Sequence, residues 1–490
     1  MATSAEPAPS PRTGTNGLRS AAAVAMGVAA LLVGIPYLVP GLERLRLLTP
    51  LPEGQGLILQ APEPDAPPVG EADVPDLSAD TGAELALPER VELPAEAHPL
   101  AASVEREAKP PVSIEDETGE ALAVFFRALA AVERKQEGAL ARISFWGDSN
   151  VAGDLVTAVL RRKLQDRFGD GGHGFVLIAN PTPYYFHNDV WRQANHHWAI
   201  SRIPGPLAAD GLYGMGGVSF RAKGPAAVAR LGTAKKGSYG RSVGRFVIDY
   251  LAHPKGAELE VRIDGSERDV IDTRAEQAVA RAAAYDVVDG AHELELVTRG
   301  ADVRLFGVRL EREGPAVIVD ALGVTSSKIR HLSRIESTHF AAQLRTLNPA
   351  LAVFNFGVNE SREGERQFGV EEYETTMTAV LKDVRAALPE ASCLLVSPND
   401  IAWKTPKGDL LSLGFVAKLA ESQRKVAAQQ GCAYWNMYQA MGGAGSMGKW
   451  VKKGLAKPDM LHPTAAGATF LGTWLYQALM EAYGEFKATR

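Results

Sequence analysis

Residues Ile143 to Asp154 read ISFWGDSNVAGD, an apolar, strand-like run that breaks into Gly147, Asp148 and Ser149 just before a helical pattern begins. Gly-Asp-Ser is ordinary turn chemistry, and Asp or Ser caps a helix well. The same turn at the carboxyl edge of a parallel sheet would expose a hydroxyl where open α/β folds hold their ligands. A serine hydroxyl is almost wholly protonated at neutral pH, so it needs a base to become a nucleophile. Far downstream, in KPDMLHPTAAG, Asp459 and His462 stand three residues apart ahead of a closing helix. Asp-x-x-His on a loop lets a carboxylate meet its own imidazole and fix the tautomer. The plainer alternative makes Asp459 an N-cap and His462-Pro463 the entry to that helix.

Other strand ends carry matching chemistry. VDALGVTSS presents Gly323, where a bare backbone N–H can approach a ligand, and FNFGVNES presents Asn359, a side-chain amide donor. With the Ser149 amide at a helix N-terminus, these residues form a candidate oxyanion hole of Ser149, Gly323 and Asn359. The chemistry implied is acyl transfer, with Ser149 as nucleophile, His462 as base and Asp459 as orienting acid.

These residues need strands and helices to hold them. GEALAVFFRALAAVERKQEGA has helical periodicity, RISFWGDS follows as a strand, and LVTAVLRRKLQDRFG places Leu155, Val159, Leu160, Leu164 and Phe168 on one face with its charges opposite. From about residue 206 the pattern changes to period-two runs such as GRFVIDYLAH, AELEVRIDG and DVRLFGVRLER, separated by turn residues. Near Pro315 the alternation of strand and helix resumes and continues to the C-terminus. The expected fold is an α/β domain with a doubly wound, mostly parallel sheet over 118–205 and 315–490. An antiparallel β-sandwich at 206–314 is inserted into it.

Length and composition frame this reading. A chain of 490 residues with 46% hydrophobic and 22% charged residues is ample for a large core. Residues 51–120 hold seventeen Asp and Glu against three Lys and Arg, a local charge of −14; the whole chain is −6, so the remainder sums to +8. That mild excess is far from the density of a nucleic-acid binder, and no nucleic-acid partner is expected. Residues 1–19 read as a disordered tail. Residues 20–42 are uncharged, long enough to span a bilayer and without a cleavage pattern, so they read as a transmembrane signal anchor. Residues 43–117, rich in proline and acid, read as a disordered linker. This arrangement leans towards an extracytoplasmic main domain, periplasmic in a Gram-negative source. Cys393 and Cys432 lie in apolar, strand-like runs and are expected as buried thiols rather than a disulfide.

Taken together, GDSN with Ser149, LGVTSS with Gly323, GVNES with Asn359 and DMLH with Asp459 and His462 resemble the four blocks of the SGNH/GDSL hydrolase superfamily. The inserted sandwich and FGDGGHGF resemble the subgroup containing peptidoglycan O-acetylesterases, in which a carbohydrate-binding-like β domain interrupts the hydrolase. Asn150 stands where the family often has Leu, and Glu360 where Asp is usual. The resemblance implies a serine esterase acting, without metal or organic cofactor, on O-acyl, most simply O-acetyl, groups of a carbohydrate or cell-envelope polysaccharide. An O-acyltransferase using the same serine and a non-catalytic, membrane-tethered glycan-binding protein remain the alternatives.

Weaker signals lie nearby. Tyr184, Tyr185, Trp191 and Trp198 crowd one loop-like run and are candidates to stack on sugar rings, against ordinary packing. His187, His196 and His197 have a spacing that fits no standard metal site. Lys328, Arg330 and His331 read as a solvated helix face.

Overall fold

The computed structural model describes residues 109–489 except 407, together with two short strands, Leu48–Pro50 and Leu57–Leu59, which pair antiparallel. The expected tail (1–19), membrane anchor (20–42) and most of the linker (43–117) lie outside the described residues. No helix among the described residues is long and apolar enough to cross a membrane.

Among the described residues, strands β1 (Leu140–Gly147), β2 (Ala316–Gly323), β3 (Leu351–Asn355), β4 (Ser392–Val396) and β5 (Ala433–Trp435) form one parallel sheet in the order β2-β1-β3-β4-β5. The register sets Gly323 opposite Gly147 and Asn355 opposite Gly147 on the other side. Such strands are buried on both faces and so carry near-continuous apolar runs.

The helices follow in chain order. The first are α1 (Ala123–Glu133), α2 (Ser149–Ala152), α3 (Val156–Phe168), α4 (Ser337–Leu347) and α5 (Val358–Glu363). Then come α6 (Val370–Ala387), α7 (Gly414–Gln430), α8 (Met437–Ala440), α9 (Ser446–Lys452) and α10 (Ala465–Thr489). Phe125, Leu129, Leu160, Leu164, Leu471 and Leu475 of α1, α3 and α10 pack on Ile143, Phe145, Val317 and Val353 of one sheet face. Leu344, Leu381 and Leu419 of α4, α6 and α7 share a second core with Trp146, Phe354 and Leu395. The chain winds outwards in opposite directions from β1, and α2 begins at that reversal, where open sheets form a crevice.

Several expectations need correction. The ordered body begins upstream of residue 118: Glu115 pairs with Tyr434 beside β5, and Val112 and Ile114 pack on the core, because the linker's last apolar residues reach the sheet. Arg161, one of the charges opposite the apolar face of α3, is buried against Asp154. Cys393 and Cys432 form a disulfide with Cα atoms 4.7 Å apart. The cause is register, since Leu394 of β4 faces Ala433 of β5 and the preceding residues therefore meet.

The antiparallel region also starts before residue 206. Its first sheet runs Ser266–Asp272, Glu258–Ile263, Glu293–Thr298, Val228–Thr233, Val190–Ala194. The second runs Val279–Gly290, Val243–Ala252, Arg304–Glu311, Val218–Ala222, Trp198–Arg202, and Gly174–Val176 adds to Arg304–Glu311. The run expected as an aromatic loop thus supplies strands 190–194 and 198–202. At the junction with the parallel sheet, buried Arg142 of β1 pairs with Asp320 of β2 at 2.9 Å and also with Glu311, while Arg309 pairs with Asp249 at 2.9 Å.

Candidate active site

Ser149 opens α2 directly after β1. Asp148 caps that helix by accepting the Asn150 amide at 3.0 Å. The approach is tight: a Cβ on Gly147 would lie 2.3 Å from Val151 Cγ2, and one on Gly323 would lie 2.1 Å from the Ala152 nitrogen. Only glycine lets the ends of β1 and β2 sit against α2, so packing alone accounts for Gly323 as a residue type. Ser149 Oγ is 2.8 Å from His462 Nε2, and His462 Nδ1 is 2.9 Å from Asp459 Oδ2. The serine and the histidine are 313 residues apart in sequence. Asp459 also accepts the backbone amides of Leu461 and His462 at 2.9 and 3.0 Å, and Met460 takes a left-handed φ of 58° to allow this turn. Burial pushes the Asp459 carboxyl up. The hydrogen bond and charge of His462 and those amides outweigh it and hold the carboxyl at about 2, so it is ionised across the physiological range. With Nδ1–H donated to Asp459, Nε2 is free to accept the serine proton.

Of the other candidate oxyanion donors, Gly323 ends β2 and Asn359 follows β3, the strands on either side of β1. Asn359, in α5, donates Nδ2 to the Ser327 carbonyl at 2.9 Å, which fixes the amide beside the loop that follows β2. Glu360 accepts the Ile329 amide at 2.7 Å and the Gly357 amide at 3.1 Å, joining the loops after β2 and β3. It is fully buried, and burial raises its carboxyl to about 7. Burial likewise raises Asp148 to about 7, and the charge of Glu360 adds to the effect, so two buried carboxyls lie close to the candidate oxyanion donors.

A brace that the sequence did not reveal lies beside Ser149, His462 and Asp459. Asn150 Nδ2 donates to Asn399 Oδ1 at 2.7 Å, and Asn399 Nδ2 donates to the Leu461 carbonyl at 3.0 Å. The amides of Asn150 and Asn399 therefore tie α2 to the turn carrying His462. The one available signal was Asn150 at a position where the resembling family prefers Leu.

The aromatic candidates separate. Tyr185 is 1% exposed, with its hydroxyl 2.8 Å from His187 Nε2, and Trp198 is 4% exposed, donating Nε1 to the Val228 carbonyl. Both belong to the core and cannot stack on a sugar. Trp191 is half-buried with the Lys235 ammonium 4.6 Å from its ring centroid, while Tyr184 is exposed. The loop bearing Tyr184 is anchored to α2 by the Phe186 amide on the Ala152 carbonyl and to the β2 loop by Thr182 on Thr325.

His187 joins Asp154 and His173 in a buried cluster whose donor atoms lie within 4.8 Å of one another, apart from His196 and His197. Asp154 is already occupied: Arg161 pairs with it at 2.6 Å, Thr157 donates to one oxygen and the Asn188 amide to the other. A buried guanidinium at the carboxylate opposes a cation, so the cluster reads as a hydrogen-bond hub beneath α2. Lys328 and Arg330 also differ from expectation. They are paired with Glu363 at 3.0 and 2.6 Å, and His331 is buried.

Residues 287–470 match a model described as the GDSL-like Lipase/Acylhydrolase family. The matched stretch holds Gly323, Asn359, Asp459 and His462, and Ser149 lies upstream of it. A solved peptidoglycan O-acetylesterase shares the fold with a TM-score of 0.64 at 22% identity, over 76% of this chain and 99% of that one. An acetyl xylan esterase is 18% identical over 33% of this chain and 80% of that one, with a TM-score of 0.26. A salicylyl-acyltransferase from a tetracycline biosynthetic pathway is 15% identical over 60% and 94%, with a TM-score of 0.28. No curated protein matches the chain.

Proposed function

We propose that this chain, a member of the SGNH/GDSL hydrolases and an ester-hydrolysing enzyme, removes O-acetyl groups from a cell-envelope polysaccharide. Supporting this reading above all is the unbroken hydrogen-bond line from Ser149 Oγ through His462 to Asp459, at 2.8 and 2.9 Å. His462 Nε2 takes the serine proton as Oγ bonds to the ester carbonyl carbon. Donors at Ser149, Gly323 and Asn359 receive the oxyanion, and losing one such donor costs about 3–4 kcal/mol of barrier. Collapse breaks the bond to the sugar oxygen, which leaves with the proton held on His462. Water, deprotonated by the same imidazole, then attacks the acyl-serine; acetate departs and the serine regains its proton.

The peptidoglycan O-acetylesterase of like fold motivates an O-acetylated glycan as substrate. Transfer to a sugar hydroxyl would use the same serine and differ only in the second acceptor. Side-chain exposures of 28% for His462 and 42% for Asp459 leave the base open to water, which favours hydrolysis. The Cys393–Cys432 disulfide fits an oxidising compartment and so favours an extracytoplasmic domain held by residues 20–42.

Acetate release from an O-acetylated glycan tests the reading. Wild type should turn over and Ser149→Ala should lose about ten-thousandfold or more in kcat with an unchanged circular dichroism spectrum. Undiminished acetate release from that variant would overturn it.

A further inference from the structure

The turn that carries His462 also forms the wall of a second feature. A cavity of ≈ 450 Å³ opens beside it, lined by Lys404, Asp409, Leu410, Lys449, Lys452 and Met460 among others. Met460 is flanked by Asp459 and Leu461, so the cavity wall and the catalytic turn are one stretch of backbone. Two virtual bonds of ~3.8 Å separate its Cα from that of His462. The other walls are the hairpin Ala402–Lys404 with Leu410–Ser412, and α9.

Adjacent side chains fix this cavity to the reaction centre. Asn399 holds α2 and the Leu461 carbonyl, as described above. The next residue, buried Asp400, accepts Ser412 Oγ at 2.8 Å, Ser446 Oγ at 3.2 Å and the Met447 amide at 2.9 Å, which gathers the hairpin and the start of α9. The Ala402 amide closes the circuit on the Met460 carbonyl at 3.1 Å.

Charge is what this arrangement leaves unbalanced. Cavity residues Lys404, Lys449 and Lys452 face the single carboxylate of Asp409. No ion pair is formed by any of these lysines among the described residues, although basic groups elsewhere near the site are neutralised, as Lys328 and Arg330 are by Glu363. Residues 449–457 carry four lysines and no acid before Asp459. Ammonium groups crowded within a Debye length of ~8 Å repel one another and attract an anion. Lysine is a point charge on a flexible stem, which suits the repeated charges of a polymer better than one rigid ligand.

We infer that this lysine-lined cavity is a subsite for an anionic group of the polysaccharide, so that the preferred substrate is an acylated glycan carrying carboxylate or phosphodiester charge. The inference rests on the esterase reading above and assigns the substrate class to that same site. The charged unit of the glycan sits against Lys404, Lys449 and Lys452 while its acyl group reaches Ser149.

The test measures acetate release by the full chain from O-acetylated polymannuronate (carboxylate), chemically acetylated phosphomannan (phosphodiester) and acetylated glucomannan (neutral). For wild type, kcat/KM should favour at least one anionic polymer over the neutral one, and raising salt from 50 to about 500 mM should abolish the preference. In the folded triple variant K404A/K449A/K452A the anionic-to-neutral ratio should fall at least tenfold, through KM. Lys449→Glu alone should lower it severalfold. Which anionic polymer shows the loss identifies the charge the cavity takes. Hydrolysis of all three polymers at similar, salt-insensitive rates would overturn the subsite and leave the esterase standing. Wild type that releases acetate from none of them would remove both.

Discussion

The parallel-sheet domain and the sandwich each contain a histidine bonded to an aspartate. His462 Nδ1 lies 2.9 Å from Asp459 Oδ2, and His292 Nδ1 lies 2.7 Å from Asp264 Oδ2. In each pair the carboxylate also accepts the backbone amide of a residue next to the histidine, Leu461 or Glu293. They differ at the other ring nitrogen. His462 Nε2 meets the Ser149 hydroxyl, which can donate, whereas His292 Nε2 meets the Val288 carbonyl at 2.6 Å, which can only accept. A ring between a carboxylate and a carbonyl satisfies both partners only as the cation. For His292 burial lowers the pKa, but Asp264 and the Val288 carbonyl outweigh it and raise the net value. The sandwich pair is a clasp between two hairpin turns whose partners favour the cation; the sheet pair sets a ring nitrogen against a hydroxyl that can supply a proton. The partner at Nε2, more than the His–Asp contact, separates a structural pair from a chemical one.

Replacing the acid in each pair gives the widest contrast. Asp459→Asn should lower kcat about a thousandfold to ten-thousandfold by releasing the tautomer, while Asp264→Asn should leave kcat on the same acetylated glycan within about twofold. Equal losses would erase the distinction. A smaller effect is expected at the brace: Asn399→Ala should lower kcat roughly ten- to a hundredfold with little change in KM, by loosening the turn that holds His462. Asn150→Leu should behave similarly. The double variant should lose less than the product of the two, because both break one chain of bonds. Strict multiplicativity would mean that the two asparagines act independently.

The clasp should appear in stability alone. Because the His292 pKa is raised in the folded state, its contribution is fully present below the ordinary value of about 6.5 and fades as pH rises through the folded value. Asp264 is half-exposed, so solvent screening limits the effect to about 0.5 kcal/mol. Urea midpoints of Asp264→Asn should therefore fall below wild type at pH 5.5 and converge with it by pH 9. A deficit that grew with pH would reverse the sign of the argument.

What could be read from the sequence was what is local. Asp459 and His462 sit within one turn, and Ser149 follows a strand whose apolar run is unmistakable, so residue type and spacing carried the chemistry. The brace joins Asn150 to Asn399 across 249 residues, and the disulfide joins Cys393 to Cys432 across 39. Both depend on strand order and register, which no short window contains. The aromatic run misled because Tyr185 and Trp198 face inwards, and strands 190–194 and 198–202 carry their apolar residues in succession rather than in alternation. Asp154 and Arg161 look like surface charges until α3 is packed on the sheet.

The central claim is that His462, oriented by Asp459, makes Ser149 a nucleophile, and a fluorophosphonate probe followed by peptide mass mapping tests it most directly. The account predicts one adduct, on Ser149, formed rapidly in wild type and at least a hundredfold more slowly in His462→Gln. An adduct on another residue, or labelling of Ser149 at the same rate in both proteins, would contradict it.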